Sequence, residues 1–176
     1  MPSARPPTPS VVLETSLYAA DLDAATHFYG TVLGLDTLLR TEGTHITFRC
    51  GPGVLHVFDP AAAREDGSLP PHGAEGAVHV AFGVPTDRLA AWRRHFRRHD
   101  IEVEHEEDWG EGHRSLYVRD PAGHSVELVS ESLWGTASRD ERLRQVRPVL
   151  DLETAESRPV ERLQNETLRP ILKLLN

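Results

Sequence analysis

Residues 11–35 read VVLETSLYAADLDAATHFYGTVLGL, and their reading decides the fold. Val11–Ala19 has the apolar, β-branched character of a strand. Asp21 then fits an N-cap, and Gly34 a stop, for an amphipathic helix over DLDAATHFYGTVLG. Short strand-like runs follow: LDTLLRTE, THITFRC and GVLHVFD, punctuated by Gly43, Gly51, Pro52 and Gly53. The same order recurs after residue 76. AVHVAFGV is a strand and TDRLAAWRRHFRRHD a helix; IEVEHEED, HRSLYVRD and HSVELVSE are three more strands. The chain therefore reads β-α-β-β-β twice, and internal duplication outranks other fold signals.

The expected organisation follows from this. Residues 1–10 form a Pro-rich, disordered lead. Residues 11–60 and 77–133 are the two βαβββ repeats, joined by a Pro-, Gly- and Ala-rich loop at 61–76. Residues 134–176 form a helical tail whose stripe of Val160, Leu163, Leu168, Ile171, Leu172 and Leu175 is interrupted by Pro170. That tail is either a peripheral arm or one that clasps a second copy. The fold class is α+β, with two curved mixed sheets around a cleft and the tail added.

Bulk properties narrow the function. The 176 residues carry a formal charge of -8, which argues against nucleic acid as a partner. No apolar run is long enough to span a membrane, and MPSARPPTPS has no hydrophobic signal region. Cys50 is the one cysteine, so a reducing, cytoplasmic setting is expected.

Polar residues interrupt the strands at matching places. Glu14 lies seven residues before Asp21, and His79 seven before Thr86, each in the first strand of its repeat. His56 and Glu127 interrupt the two closing strands, VLHVFD and SVELVS. Buried carboxylates are costly without a positive partner. Taken singly, each of these residues reads as an ordinary polar residue of a strand's wet face. Their matched placement instead points to ligands of one divalent metal ion. Two imidazoles and two carboxylates suit Zn, Ni, Co, Mn or Fe(II). One ligand from each of several strands gives a rigid, open site of the kind a catalytic metal needs.

ETSLYAADLDAATHFYGTVLGL, VHVAFGV and SLYVRDPAGHSVEL together resemble the vicinal oxygen chelate superfamily. Its members include glyoxalase I, extradiol dioxygenases, fosfomycin-resistance transferases and bleomycin-resistance proteins. The likeness rests on a D-L-x-x-x-x-x-F-Y-x-x-x-L-G helix and a D-P-x-G-x-x-x-E hairpin, and it covers residues 11–133. It implies that His79 and Glu127 occupy the usual ligand slots. Glu14 falls where His or Gln is commoner, and His56 where glyoxalase I carries Glu. The inventory resembles bacterial glyoxalase I with the first-repeat pair exchanged.

The resemblance also implies an activity: a metal chelates two adjacent oxygens of a small substrate. The chemistry is then glyoxalase-like isomerisation or lyase chemistry, or dioxygenation. Glu127 first, and Glu14 second, are the candidate proton-moving carboxylates. Arg49 and Arg119 are candidates to clamp a substrate carboxylate. Tyr117 lies at the same cleft, and Trp109, in the loop DWGEGHRS, is a candidate lid or platform. His124, three residues before Glu127, is either exposed or a hydrogen-bond partner of the ligands. The competing function is a metal-free binding protein for a drug or natural product. A fosfomycin-type thiol transferase fits less well, because VSESLW places no Arg after Glu127. A homodimer is expected, with the repeats pairing within one chain or between two.

Overall fold

The computed structural model describes residues 9–65 and 70–135. The expected helical tail beyond Gly135, and all but the end of the N-terminal lead, lie outside the described residues. Strand β1 (Glu14–Tyr18) leads to helix α1 (Leu22–Thr26), which continues as a π-helical segment (His27–Val32). Strands β2 (Thr37–Thr41), β3 (His45–Cys50) and β4 (Gly53–Phe58) complete the first repeat. The second repeat has β5 (His79–Val84), helix α2 (Leu89–Arg98), β6 (His105–Gly110), β7 (His113–Arg119) and β8 (Ser125–Ser130). These make two four-stranded sheets of order β1-β4-β3-β2 and β5-β8-β7-β6. In each, the first strand pairs parallel with the last and the other pairings are antiparallel.

The expected duplication is therefore the architecture, with local differences. Strand β1 begins at Glu14, and Val11, Val12 and Leu13 are exposed ahead of it. The first helix starts as expected, with Asp21 Oδ1 accepting from the Ala24 amide at 2.8 Å. It then widens. Thr26 Oγ1 donates to the Leu22 carbonyl at 2.7 Å, competing with the backbone ladder at that turn. The next bonds run five residues back, as from the Leu33 amide to the Phe28 carbonyl at 2.9 Å. Gly34, at φ +72°, ends the segment in the left-handed conformation that glycine adopts without cost.

Alternation along the strands separates a core face from a polar face. Leu17, Ile46, Phe48, Leu55 and Val57 are buried with Phe28, Tyr29 and Val32 from the first repeat's helical segment. Leu116, Val118, Val126 and Leu128 are buried with Leu89 and Phe96 of α2. Both sets belong to one continuous core. Burying a side chain such as Phe96 contributes about 1.5–3 kcal/mol.

Polar contacts join the repeats as well. The Tyr29 hydroxyl donates to Asp120 Oδ2 at 2.7 Å, and His95 Nε2 lies 2.9 Å from the Val32 carbonyl. His124 is 3% exposed. Its Nδ1 accepts from the Val78 amide at 3.1 Å, and its Nε2 meets the Tyr18 carbonyl at 2.8 Å. The expectation of an exposed His124 is thus corrected. Two backbone groups from different repeats need a bridge, and the imidazole supplies it through both ring nitrogens.

Candidate metal-binding half-sites

The polar face of the first sheet carries Glu14, Ser16, Thr47, Arg49, Val54 and His56. Register places Glu14 opposite Val54, and His56 between Ser16 and Thr47. The second sheet repeats the pattern. His79 lies opposite Ser125, and Glu127 stands between Ala81 and Tyr117. The four sequence-predicted ligands therefore form two pairs at equivalent positions, with the order of His and Glu reversed.

Each pair brings an imidazole Nε2 toward a carboxylate. His79 Nε2 is 3.2 Å from Glu127 Oε2, and His56 Nε2 is 3.8 Å from Glu14 Oε2. The other ring nitrogen meets a hydroxyl in both cases. Thr47 Oγ1 lies 2.9 Å from His56 Nδ1, and Ser125 Oγ lies 3.3 Å from His79 Nδ1. An Nδ1–H donated to a hydroxyl leaves Nε2 with its lone pair facing the site, the tautomer a metal ligand requires.

The carboxylates differ. The Glu127 side chain is 8% exposed, and its Oε1 accepts from the Tyr117 hydroxyl at 2.9 Å and from Ser115 Oγ. Ser115 in turn accepts from the Trp109 indole N–H at 2.8 Å. Burial first, then the Glu127 charge and the Tyr117–Glu127 hydrogen bond, push the Tyr117 pKa up, so its hydroxyl remains a donor. The Glu14 side chain is 64% exposed.

The two pairs do not meet within one chain. Among the described residues, no three His, Cys, Asp or Glu side chains stand together in a group able to hold a metal ion. A cavity of about 570 Å³ lies elsewhere, lined by Tyr18, Asp21, Arg64, Glu75 and His124 among others. The donor types and the supporting hydroxyls fit a divalent ion, but each pair alone offers only two donors.

Of the remaining sequence candidates, Arg119 is engaged: its Nε is 2.9 Å from both Glu104 carboxylate oxygens, and its Nη1 donates to the Gly123 carbonyl. Arg49 is exposed. Trp109 lies in strand β6, not in a loop, because β6 pairs with β7 as far as Gly110 opposite His113. Sequence reading missed Thr47, Ser115 and Ser125. Their signal was positional: each sits on the polar face of a strand next to one bearing a predicted ligand.

A family model described as the glyoxalase/bleomycin resistance protein/dioxygenase superfamily matches residues 11–128. The chain belongs to this superfamily. A structure titled lactoylglutathione lyase from Agrobacterium tumefaciens is 41% identical, with a TM-score of 0.69. The match covers 72% of this chain and 98% of that one. A glyoxalase/bleomycin resistance protein/dioxygenase from Nocardioides is 22% identical over 71% of this chain and 85% of its own, with a TM-score of 0.58. A putative glyoxalase family protein from Bacillus anthracis is 20% identical over 72% and 98%, with a TM-score of 0.54. The last two likenesses bear on the fold alone. No curated protein matches the chain. This superfamily member therefore belongs to a group that includes lyases and dioxygenases, and among the described residues it has no helix long and apolar enough to cross a membrane.

Proposed function

We propose that this superfamily member is a divalent-metal-dependent enzyme acting on a small oxygenated substrate, by lyase- or isomerase-type chemistry. The observation that carries the reading is the pair of equivalent Glu–His half-sites, each with Nε2 turned to a carboxylate and Nδ1 turned to a hydroxyl. The 41% identity to a protein titled lactoylglutathione lyase favours lyase chemistry over dioxygenation.

Glu14 and His56 of one chain join His79 and Glu127 of a second copy to hold the ion. Strands β1 and β5 are sheet edges, and Val11–Leu13 beside β1 are exposed apolar residues. An isologous pairing of such edges buries that surface and makes two equivalent sites. When bound, the ion supplies Lewis-acid stabilisation of charge on two neighbouring substrate oxygens. Glu14 and Glu127 are the carboxylates available to take a proton beside it. Arg49, opposite Val54 as Glu14 is, serves to bind an anionic substrate group. Arg119 occupies the equivalent place in the second sheet but is held by Glu104, so its role is at the rim.

The test is metal content of untagged protein, reloaded with Zn, Ni, Co, Mn and Fe(II) in turn, for wild type, His79→Ala and Glu127→Ala. Near-stoichiometric metal in wild type that falls sharply in both variants is expected. Wild type that takes up none of the five ions overturns the reading, and binding of drug-like ligands becomes the next assay.

A further inference from the structure

We propose that Tyr18, Phe58 and His45, with His72 beside them, form a subsite for an uncharged planar aromatic group of the substrate. The inference rests on the functional reading above for the place of reaction, at the Glu14–His56 half-site. The subsite itself lies within one chain and is assembled by the fold. Register sets three rings side by side across β1, β4 and β3, with Tyr18 opposite Phe58 and Phe58 opposite His45. All three are half-buried, and strand alternation puts them on the face that carries Glu14 and His56. Phe58 and His45 have ring centroids 5.1 Å apart and planes inclined by 28°; Tyr18 and Phe58 are 6.3 Å apart at 30°.

His72 comes to this row from the loop between the repeats. Its ring stands at 79° to Phe58, with centroids 4.7 Å apart. The loop is tied there twice: His72 Nδ1 lies 2.9 Å from the Tyr18 hydroxyl, and the His72 amide donates to the Ala63 carbonyl at 3.0 Å. The duplicated architecture does not demand rings at this level. The equivalent positions of the second sheet hold Gly83, Val129 and Ser115.

The placement states what the row can hold. It lies two residues along each strand from His56, Ser16 and Thr47, a distance of about 7 Å. A ring bound there is joined directly, or through a short link, to the group that reacts beside His56. A planar ring set against near-parallel rings gains edge-to-face or offset contacts, which favour it over a saturated group of equal size. A cation is less suited, because the carboxylate next to Phe58 on the chain, Asp59, is turned to the Ala61 and Ala62 amides.

The test is calorimetric titration with benzoylformate, cyclohexylglyoxylate and pyruvate, which share a 2-oxo carboxylate head and differ in the group attached to it. Metal-free and metal-loaded protein are both titrated, for wild type, Phe58→Leu and His72→Ala, and circular dichroism checks the fold of each. Wild type is expected to bind benzoylformate about 3–10-fold more tightly than cyclohexylglyoxylate, and pyruvate more weakly than either. Phe58→Leu keeps apolar bulk but loses the ring, so its preference for benzoylformate disappears while pyruvate binding is unchanged. The inference is overturned if wild type does not distinguish the phenyl from the cyclohexyl probe, or if folded Phe58→Leu retains the preference. His72→Ala leaves the sheet intact and decides in its place if Phe58→Leu is unfolded: an undiminished preference there overturns the inference as well. Wild type that prefers the phenyl probe yet takes up no metal sinks the metal reading and leaves the ring subsite standing, so the two failures are distinct.

Discussion

His56 and Glu127 stand at the same place in the two sheets. Each is flanked by a residue of its repeat's first strand and, on the other side, by a hydroxyl-bearing residue, Thr47 or Tyr117. In the proposed metal site, position rather than residue type defines the ligand slot. A threonine hydroxyl accepts from an imidazole N–H and equally donates to a carboxylate. The double exchange Glu14→His with His56→Glu therefore keeps the donor set and its support. We expect its metal affinity to stay within about tenfold of wild type, while His56→Ala falls well below that. Chelator competition decides the matter, and an exchange variant no better than His56→Ala would contradict the slot equivalence.

The proposed two-chain metal site predicts complementation between chains. His56→Ala damages one half-site and Glu127→Ala the other. Unfolded together and refolded, the two variants form mixed dimers in which one site takes both intact halves. Random pairing makes roughly half the dimers mixed, so about a quarter of wild-type metal binding returns. Repeats that pair only within one chain restore none.

The contact of Tyr29 with Asp120 predicts a stability change at high pH. Burial first, then the Asp120 charge and its hydrogen bond, push the Tyr29 hydroxyl well above its ordinary value of 10.0. Above that value the unfolded tyrosine loses its proton and the folded one keeps it. The folded state then binds more protons, so this contribution is complete below pH 10 and is lost as pH rises through the folded value. Tyr117 shifts in the same direction, and comparison with Tyr29→Phe isolates Tyr29. That variant is expected to lose about 1.5–3 kcal/mol at neutral pH, the scale of a hydrogen bond to a charged group. It is also expected to show a shallower decline above pH 10. Urea titrations across pH measure both.

Gly53 predicts a packing defect beside Glu14. A Cβ at Gly53 would stand 2.7 Å from the Leu13 carbonyl oxygen, and Leu13 directly precedes Glu14. The contact is backbone, so relief requires the chain before β1 to move. Gly53→Ala should destabilise the fold by about 1–3 kcal/mol and lower metal affinity by displacing Glu14. Unchanged thermal stability with unchanged metal binding would show that the chain ahead of β1 is free to shift.

The sequence by itself determined the repeat, the order of elements along it and the four polar interruptions at matching places. These are periodic signals, carried by local alternation and by glycine and proline punctuation, and they survive without any knowledge of packing. The N-cap at Asp21 and the stop at Gly34 were legible for the same reason. The π-helical widening after Thr26 was less so, because it depends on whether a hydroxyl turns back to the Leu22 carbonyl. Only the tertiary structure decided that His124 is buried, since its two acceptor and donor partners, Val78 and Tyr18, come from different repeats. It also moved Trp109 from a loop into strand β6 and turned its indole to Ser115. Above all, it divided the four predicted ligands into two half-sites. Sequence spacing shows which residues face the same side of a sheet; it carries no record of how two sheets sit relative to one another. Their relative placement is set by the shared core and by Tyr29, His95 and His124, whose contacts cross from one repeat to the other.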